Sequence, residues 1–220
     1  MSPNPFADHR AAALYESWYT SPEGRRVDSL EKKALLWTLG ELGPVTSVLE
    51  VGCGTGHFTR WLGKKGMANV GLDTSMPMLE QAKLLGTDAL VQGDALALPF
   101  ANGAFDVVAL ITTLEFLAEP QKALVEGLRV ARLGLLLGVM NRWSWLGISR
   151  RLTSLVRPNV YDTAHFYSVP ELERLLEPLS EDVSTIAWRC TLFPRWWPSE
   201  CSHLPWGGFV AMVLGKAGTG

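Results

Sequence analysis

Several features that would announce a function are missing from this chain. Its three cysteines, Cys53, Cys190 and Cys201, are too few and too scattered for a disulfide framework, and a reducing, cytoplasmic setting is the economical inference. No apolar run approaches the roughly 18 residues that a membrane span requires, and no basic leader precedes an early apolar stretch. A soluble protein without an integral membrane segment is expected. Charge of one sign is lacking too: 20 Lys and Arg against 22 Asp and Glu leave a net charge of −2. With a pI near 6.1, the chain has no general attraction for nucleic acid. Acids at metal-ligand spacing are absent, so no metal is expected. What remains is a foldable core, with 47% hydrophobic and 19% charged residues, which excludes a disordered chain. A length of 220 residues suits one α/β domain with a decorated end.

The stretch that organises the rest is Val48-Leu49-Glu50-Val51-Gly52-Cys53-Gly54-Thr55-Gly56. Apolar positions running into alternate glycines read as a buried strand, a tight loop and the opening of a helix. Glycine lets the backbone turn at positive φ and approach a ligand closely. A dinucleotide turn requires G-x-G-x-x-G, and His57 stands where the last glycine would be, which weakens a pyrophosphate reading. Glu50, two residues before the first glycine, suits a ligand with a cationic group, bound directly or through a backbone network. The helix N-terminus after the loop favours a carboxylate or hydroxyl. At these residues the sequence resembles the first motif of class I S-adenosylmethionine-dependent methyltransferases.

Two acids continue the pattern. Ala68 to Leu72 reads as a second strand ending at Asp73, placed about 20 residues beyond the loop to accept from ribose hydroxyls. Thr74-Ser75-Met76-Pro77-Met78 then turns into a helix, with Ser75 equally well explained as its N-cap. Ala89 to Gln92 is a third strand, followed by Gly93-Asp94-Ala95 and Leu98-Pro99-Phe100. In the resembling enzymes Met78 packs near the adenine and the Gly-Asp-Ala acid bonds its amino group. The resemblance therefore implies S-adenosylmethionine as cofactor and S-adenosylhomocysteine as product. It implies cofactor contacts at Tyr15, Tyr19, Glu50, Gly52, Cys53, Gly54, Gly56, Asp73, Thr74, Met78, Gly93, Asp94, Ala95 and Thr112.

The N-terminal stretch, residues 1–43, reads as a helical cap broken at Thr20-Ser21-Pro22, with Val27, Leu30, Ala34 and Trp37 on the buried face of its second helix. In the resembling enzymes such a segment closes over the cofactor, which makes Tyr15 and Tyr19 lid candidates; packing is the plainer account of both. The fourth strand, Phe105 to Ile111, is apolar on both faces and is followed by Thr112-Thr113-Leu114-Glu115-Phe116-Leu117. The quinone-biosynthesis-like branch that the chain resembles carries a histidine pair here, and its absence leaves Glu115 as the candidate base or substrate-orienting group. Glu115 also reads as a helix-entry acid.

Glu119 to Val130 reads as a helix and Leu135 to Met140 as the fifth strand. From Gly127 to Tyr161 there are six arginines and no Asp, Glu or Lys. Residues 141–180 read as a substrate-side insertion, with Trp143, Trp145, His165 and Tyr167 as lining candidates and Trp197 joining them from a later connection. An anionic or aromatic substrate, a peripheral contact with anionic lipid and a plain solvated arginine face all fit. Ser168 caps a helix over Val169 to Leu176. Val183 to Arg189 and Phe209 to Leu214 close the sheet as strands six and seven.

The expected fold is α/β: a Rossmann-like, seven-stranded, mostly parallel sheet with an antiparallel last strand, helices on both faces and an N-terminal helical lid. The expected function is in-line methyl transfer from S-adenosylmethionine to a small-molecule acceptor by a monomer or homodimer. Two alternatives stand beside it: arsenite or thiol methylation through the three cysteines, and a non-catalytic cofactor-binding scaffold or sensor.

Overall fold

Ser21 and Pro22 split the N-terminal stretch into α1 (His9–Thr20) and α2 (Pro22–Leu39). The Ser21 hydroxyl accepts from the Gly24 N–H at 2.9 Å, satisfying one of the donors that a helix start leaves open. The computed structural model describes residues 9–143, 164–194, 196–197 and 199–217. After α2 come β1 (Ser47–Val51), α3 (His57–Lys64), β2 (Ala68–Asp73), α4 (Met76–Leu84), β3 (Leu90–Gln92) and β4 (Phe105–Ile111). They are followed by α5 (Pro120–Val130), β5 (Ala131–Met140), α6 (Val169–Leu176), β6 (Val183–Thr191), β7 (Cys201–Ser202) and β8 (Phe209–Lys216).

The strands form one sheet in the order β3-β2-β1-β4-β5-β8-β6-β7. Neighbours from β3 to β5 run parallel, whereas β8 runs antiparallel to both β5 and β6. The expected antiparallel last strand is therefore present. The two-residue β7 adds an eighth strand, pairing Cys201 with Thr191 and Ser202 with Cys190.

Alternation along the strands divides the core between the two faces. Leu49, Val51, Val108, Leu110, Leu135 and Leu137 pack beneath Leu124 and Leu128 of α5 and Leu172 and Leu176 of α6. Val48, Val107, Ala109, Leu136 and Phe209 pack on the other face with Val27, Leu30 and Ala34 of α2 and Phe58 and Leu62 of α3. Trp37 departs from the expected buried face of α2. It is 49% exposed, and the Arg189 guanidinium of β6 covers one face of its ring at 3.5 Å from the centroid, a cation–π contact at the surface.

The strand expected from Leu135 begins at Ala131, directly after α5. Arg132 anchors that early part, its Nη2 2.6 Å from the Asp106 carboxylate. Asp106 also accepts from the Thr46 and Ser47 backbone N–H groups, at 2.8 Å and 3.1 Å. This knot ties β1, β4 and β5 at their amino ends and leaves their carboxyl ends for the site. Because strand order reverses between β2-β1 and β4-β5, a crevice forms at those carboxyl ends.

Candidate active site

β1 ends at Val51, and the next five residues turn the chain into α3. Gly52 and Gly54 hold φ of 72° and 53°, a region costly for other residues. They face different surroundings. A Cβ on Gly52 would meet the Thr113 side chain at 2.5 Å, whereas one on Gly54 would meet nothing within 4 Å among the described residues. The middle of the loop therefore presents bare backbone to open space. Gly52 and Cys53 both donate to the Leu72 carbonyl of β2, at 2.7 Å and 3.0 Å, and the Gly54 N–H donates to Asp73 Oδ2 at 2.8 Å.

Asp73 is thus held from two sides, since its Oδ1 accepts from the Ser75 N–H at 2.8 Å. Burial raises its pKa above the usual carboxylate value, opposed by the backbone N–H groups of Ser75, Gly54 and Thr74. The Ser75 hydroxyl accepts from the Met78 N–H at 3.4 Å, so it is an N-cap of α4, and Met78 is buried behind it. Thr74 is exposed. Beyond β3, Gly93 donates to the Asp73 carbonyl at 3.1 Å, and exposed Asp94 folds its turn by accepting from the Leu96 N–H at 2.9 Å. Ala95 is buried in that turn.

Glu50 lies beneath the loop. It is 1% exposed, receives the Thr59 hydroxyl of α3, and is pushed by burial, against that hydroxyl, up to about 7. So deeply buried, its carboxyl is not open to direct contact from the loop's outer face. Cys53 is also buried, and burial raises its thiol pKa far above the ordinary value.

At the end of β4, Thr112 turns at φ 51° and donates its N–H to the Gly138 carbonyl at 2.7 Å. Glu115 follows, only 1% exposed. Its Oε1 accepts from the Met140 N–H at 2.7 Å, which ties the ends of β4 and β5 together, and its Oε2 has no hydrogen-bond partner among the described residues. Burial, opposed by the Met140 N–H, lifts this carboxyl to about 7. Tyr167 is buried beside it rather than on an open wall, and its hydroxyl donates to the Leu114 carbonyl at 3.4 Å. Burial and the Glu115 charge push that phenol up to about 12. His165 is exposed, with its backbone N–H donating to the Glu115 carbonyl at 2.8 Å.

α1 closes on the glycine loop through Glu16. Its Oε1 accepts from the Thr55 hydroxyl at 2.6 Å and from Arg60 Nη2 at 2.9 Å, and its Oε2 lies 3.9 Å from His57 Nδ1. Burial raises the Glu16 pKa, but the hydrogen bonds from His57, Thr55 and Arg60 prevail and bring it down to about 2. His57 Nε2 lies 2.7 Å from Asp28 Oδ1 of α2. Burial opposes the imidazolium, yet Asp28 and Glu16 outweigh it and raise the His57 pKa. Tyr19 stacks on the His57 ring, and its hydroxyl lies 3.3 Å from that of Tyr15. Of the two expected lid candidates, Tyr19 thus packs on the residue that follows the loop and Tyr15 packs on Tyr19, joined by residues for which the sequence offered only one signal: Asp28 and Lys32 at helical i,i+4 spacing.

The aromatic residues expected on the substrate side part company. Trp143 is 64% exposed, while Trp197 packs against Trp206 and Phe193 with ring centroids 4.8 Å and 6.1 Å away. Trp145 lies outside the described residues, as does most of the arginine-rich stretch.

The family described as Methyltransferase domain matches residues 49–137, the span from β1 to β5. A solved S-adenosylmethionine-dependent methyltransferase from Thermotoga maritima, described as a possible histamine N-methyltransferase, superposes with a TM-score of 0.72 at 26% identity, covering 94% of this chain and 97% of that one. A demethylmenaquinone methyltransferase from Renibacterium salmoninarum is 41% identical over 92 residues, 41% of this chain and 39% of the relative. Residues 49–137 thus carry a methyltransferase domain, and the chain has the fold of the S-adenosylmethionine-dependent methyltransferases. An uncharacterised protein of Mycobacterium tuberculosis is 33% identical over 191 residues, which are 83% of this chain but 62% of the relative. The chain thus spans less than two thirds of that relative's length.

The residues of this methyltransferase domain fit the family's cofactor. Open space over Gly54, a held carboxylate at Asp73 with lone pairs to spare, and the exposed Asp94 stand at the ends of successive strands. The cysteines do not converge as thiol methylation would require. Cys201 stands opposite Thr191 in the ladder, so its side chain lies on the other sheet face from that of Cys190. Among the described residues no His, Cys, Asp and Glu group is placed to hold a metal ion. No described helix is long and apolar enough to cross a membrane.

Proposed function

We propose that this chain binds S-adenosylmethionine across the Gly52–Gly56 loop, Asp73 and Asp94 and transfers its methyl group to a small-molecule acceptor in the cytoplasm. The observation that carries this reading is Asp73 at the end of β2, bonded to the Gly54 N–H beside the loop's open face. When bound, the cofactor supplies a methyl group already activated by its sulfonium. The protein's task is alignment and exclusion of water, and orientation alone supplies up to about 7–11 kcal/mol in well-aligned systems.

In this reading Asp73 accepts from the ribose hydroxyls, Asp94 takes the adenine amino group, and Met78 backs the adenine from beneath. Glu16 and Tyr19 hold α1 over the loop. Glu115 stands at the end of β4, toward the acceptor side. With its pKa near 7 and Oε2 unengaged, it takes the proton from an acceptor hydroxyl that must ionise; an amine already neutral in solution does without it. Trp143 and exposed His165 line the acceptor's approach.

Calorimetric titration with S-adenosylmethionine and S-adenosylhomocysteine, followed by transfer of a labelled methyl group to a panel of phenols, amines and thiols, tests the reading. Micromolar binding of both, with label appearing in one acceptor class, supports it. Absence of binding to either sinks it.

A further inference from the structure

A cavity of about 380 Å³ opens between α2 and the connection from β6 to β7. That volume lies within the range of about 300–1,000 Å³ that holds small organic ligands. Since α2 leads toward the start of β1, its N-terminal half stands at the carboxyl edge of the sheet. Two sides of this helix serve different neighbours. Asp28 and Lys32 reach toward His57, whereas Arg26, Ser29 and Lys33, at i, i+3 and i+7, share a face that lines the cavity.

The opposite wall is aromatic. Phe193 and Trp197 line it, and Trp206 braces both from behind, with ring centroids 4.7 Å and 4.8 Å away. Such a brace fixes flat apolar surfaces at a constant spacing. Among the described residues, the charges at the mouth are two cations, Arg26 and Lys33, against one carboxylate, Glu200. Glu200 holds Lys33 at 2.8 Å, yet the two side chains are 67% and 61% exposed, and an ion pair so open to water is weak. Arg26 meets Glu23 only at 3.4 Å, also at the surface. An anion entering the cavity displaces Glu200 from Lys33 at little cost and gains the guanidinium as a second partner.

We propose that this cavity is a binding site for a small aromatic acid, its ring between α2 and the Phe193–Trp197 wall and its anionic group on Arg26 and Lys33. The site lies on the side of α2 turned away from the glycine loop, so it stands or falls independently of cofactor binding. Glu200 is a competitor of the ligand, occupying its anion position when the cavity is empty.

The test uses 8-anilinonaphthalene-1-sulfonate as fluorescent reporter on the full chain, with 1-naphthoate and neutral 1-naphthylmethanol as competitors. The expected result is one saturable site from which 1-naphthoate displaces the reporter at least about tenfold better than the alcohol does. Combining Arg26→Gln with Lys33→Gln removes most of that preference, while Glu200→Gln tightens 1-naphthoate severalfold. Circular dichroism and calorimetry with S-adenosylhomocysteine on the same variants show that fold and cofactor site are intact. Equal displacement by acid and alcohol, or indifference to the double substitution, overturns the proposal and leaves an unselective apolar cleft. Weaker 1-naphthoate binding in Glu200→Gln also overturns it, since Glu200 would then be part of the ligand's cradle rather than its rival.

Discussion

Tyr19 lies flat on His57, their ring centroids 3.7 Å apart and their planes 12° from parallel. The ring beneath that stack is the first residue of α3, so the contact joins the end of α1 to the helix that follows the glycine loop. Glu16, Asp28 and Lys32 face the same imidazole, with Glu50 and Arg60 beyond them. Because the folded-state pKa of His57 is raised, its charged form stabilises this junction fully below the unfolded value of about 6.5. That contribution is lost as pH rises through the folded pKa. Hydrogen exchange of the α1 amides, corrected for intrinsic rates, will show protection falling on the alkaline side in the wild type. The same measurement on His57→Gln will show low protection with no such pH dependence.

Replacing Asp73 by alanine removes the acceptor that holds Gly54 and Ser75 in place. Cofactor affinity will fall by about 1.5–3 kcal/mol, the range for hydrogen bonds to a charged group. Calorimetry with S-adenosylhomocysteine measures it, and unchanged affinity would remove Asp73 from the site.

Glu115 separates two effects. Glu115→Ala leaves the buried Met140 N–H without its acceptor and will destabilise the fold by about 1–3 kcal/mol. Glu115→Gln keeps an acceptor for that N–H. Burial has raised the native pKa from 4.5 to about 7, so the native state holds its proton longer than the unfolded chain, and stability declines as pH rises between those values. Denaturant titrations will show that decline flattened in Glu115→Gln. The same variant will bind cofactor normally and turn over a phenolic acceptor more slowly; equal loss of binding and turnover would make Glu115 purely structural.

At the opposite edge, Asp106→Ala leaves the Thr46 and Ser47 N–H groups and Arg132 without their shared partner. Urea melts will show a loss of about 1–3 kcal/mol. Burial raises the Asp106 pKa, but Thr46, Arg132 and Ser47 together depress it well below the usual value. Its contribution is therefore complete above the unfolded pKa of about 3.9 and is lost as pH falls through the folded one. The variant's acid transition will begin at higher pH than the wild type's.

Much of this was legible where the signal is local. β1, β4 and α6 have the limits expected from their residues, because an apolar run ending in glycine, or a Ser168–Glu171 capping box, contains its own boundary. The positions of Asp73, at the end of β2, and of Asp94, in the turn two residues beyond β3, were readable from the strand that precedes each. The junction at His57 was not: the imidazole was seen only as the residue in place of a glycine, and its partners come from α1 and α2. Trp37 fell at helical spacing with Val27 and Leu30, and nothing along α2 announces that Arg189 of a distant strand covers it. Two-residue β7 is too short for any periodicity, and the burial of Tyr167 depends on where the end of β4 falls.

The placing of β8 sets an order of events for a chain made from its N-terminus. β6 and β7 attach to the rest of the sheet only through β8, which pairs with β5 on one side and β6 on the other, yet β8 follows both in the sequence. Until it is made, the β5 edge stands open and apolar beside an orphaned β6–β7 pair. The nascent protein thus passes through a stage with two sticky edges, closed in a single step by one eight-residue strand. A lesion in β8 would leave the parallel half able to form and the molecule prone to pairing with its own copies.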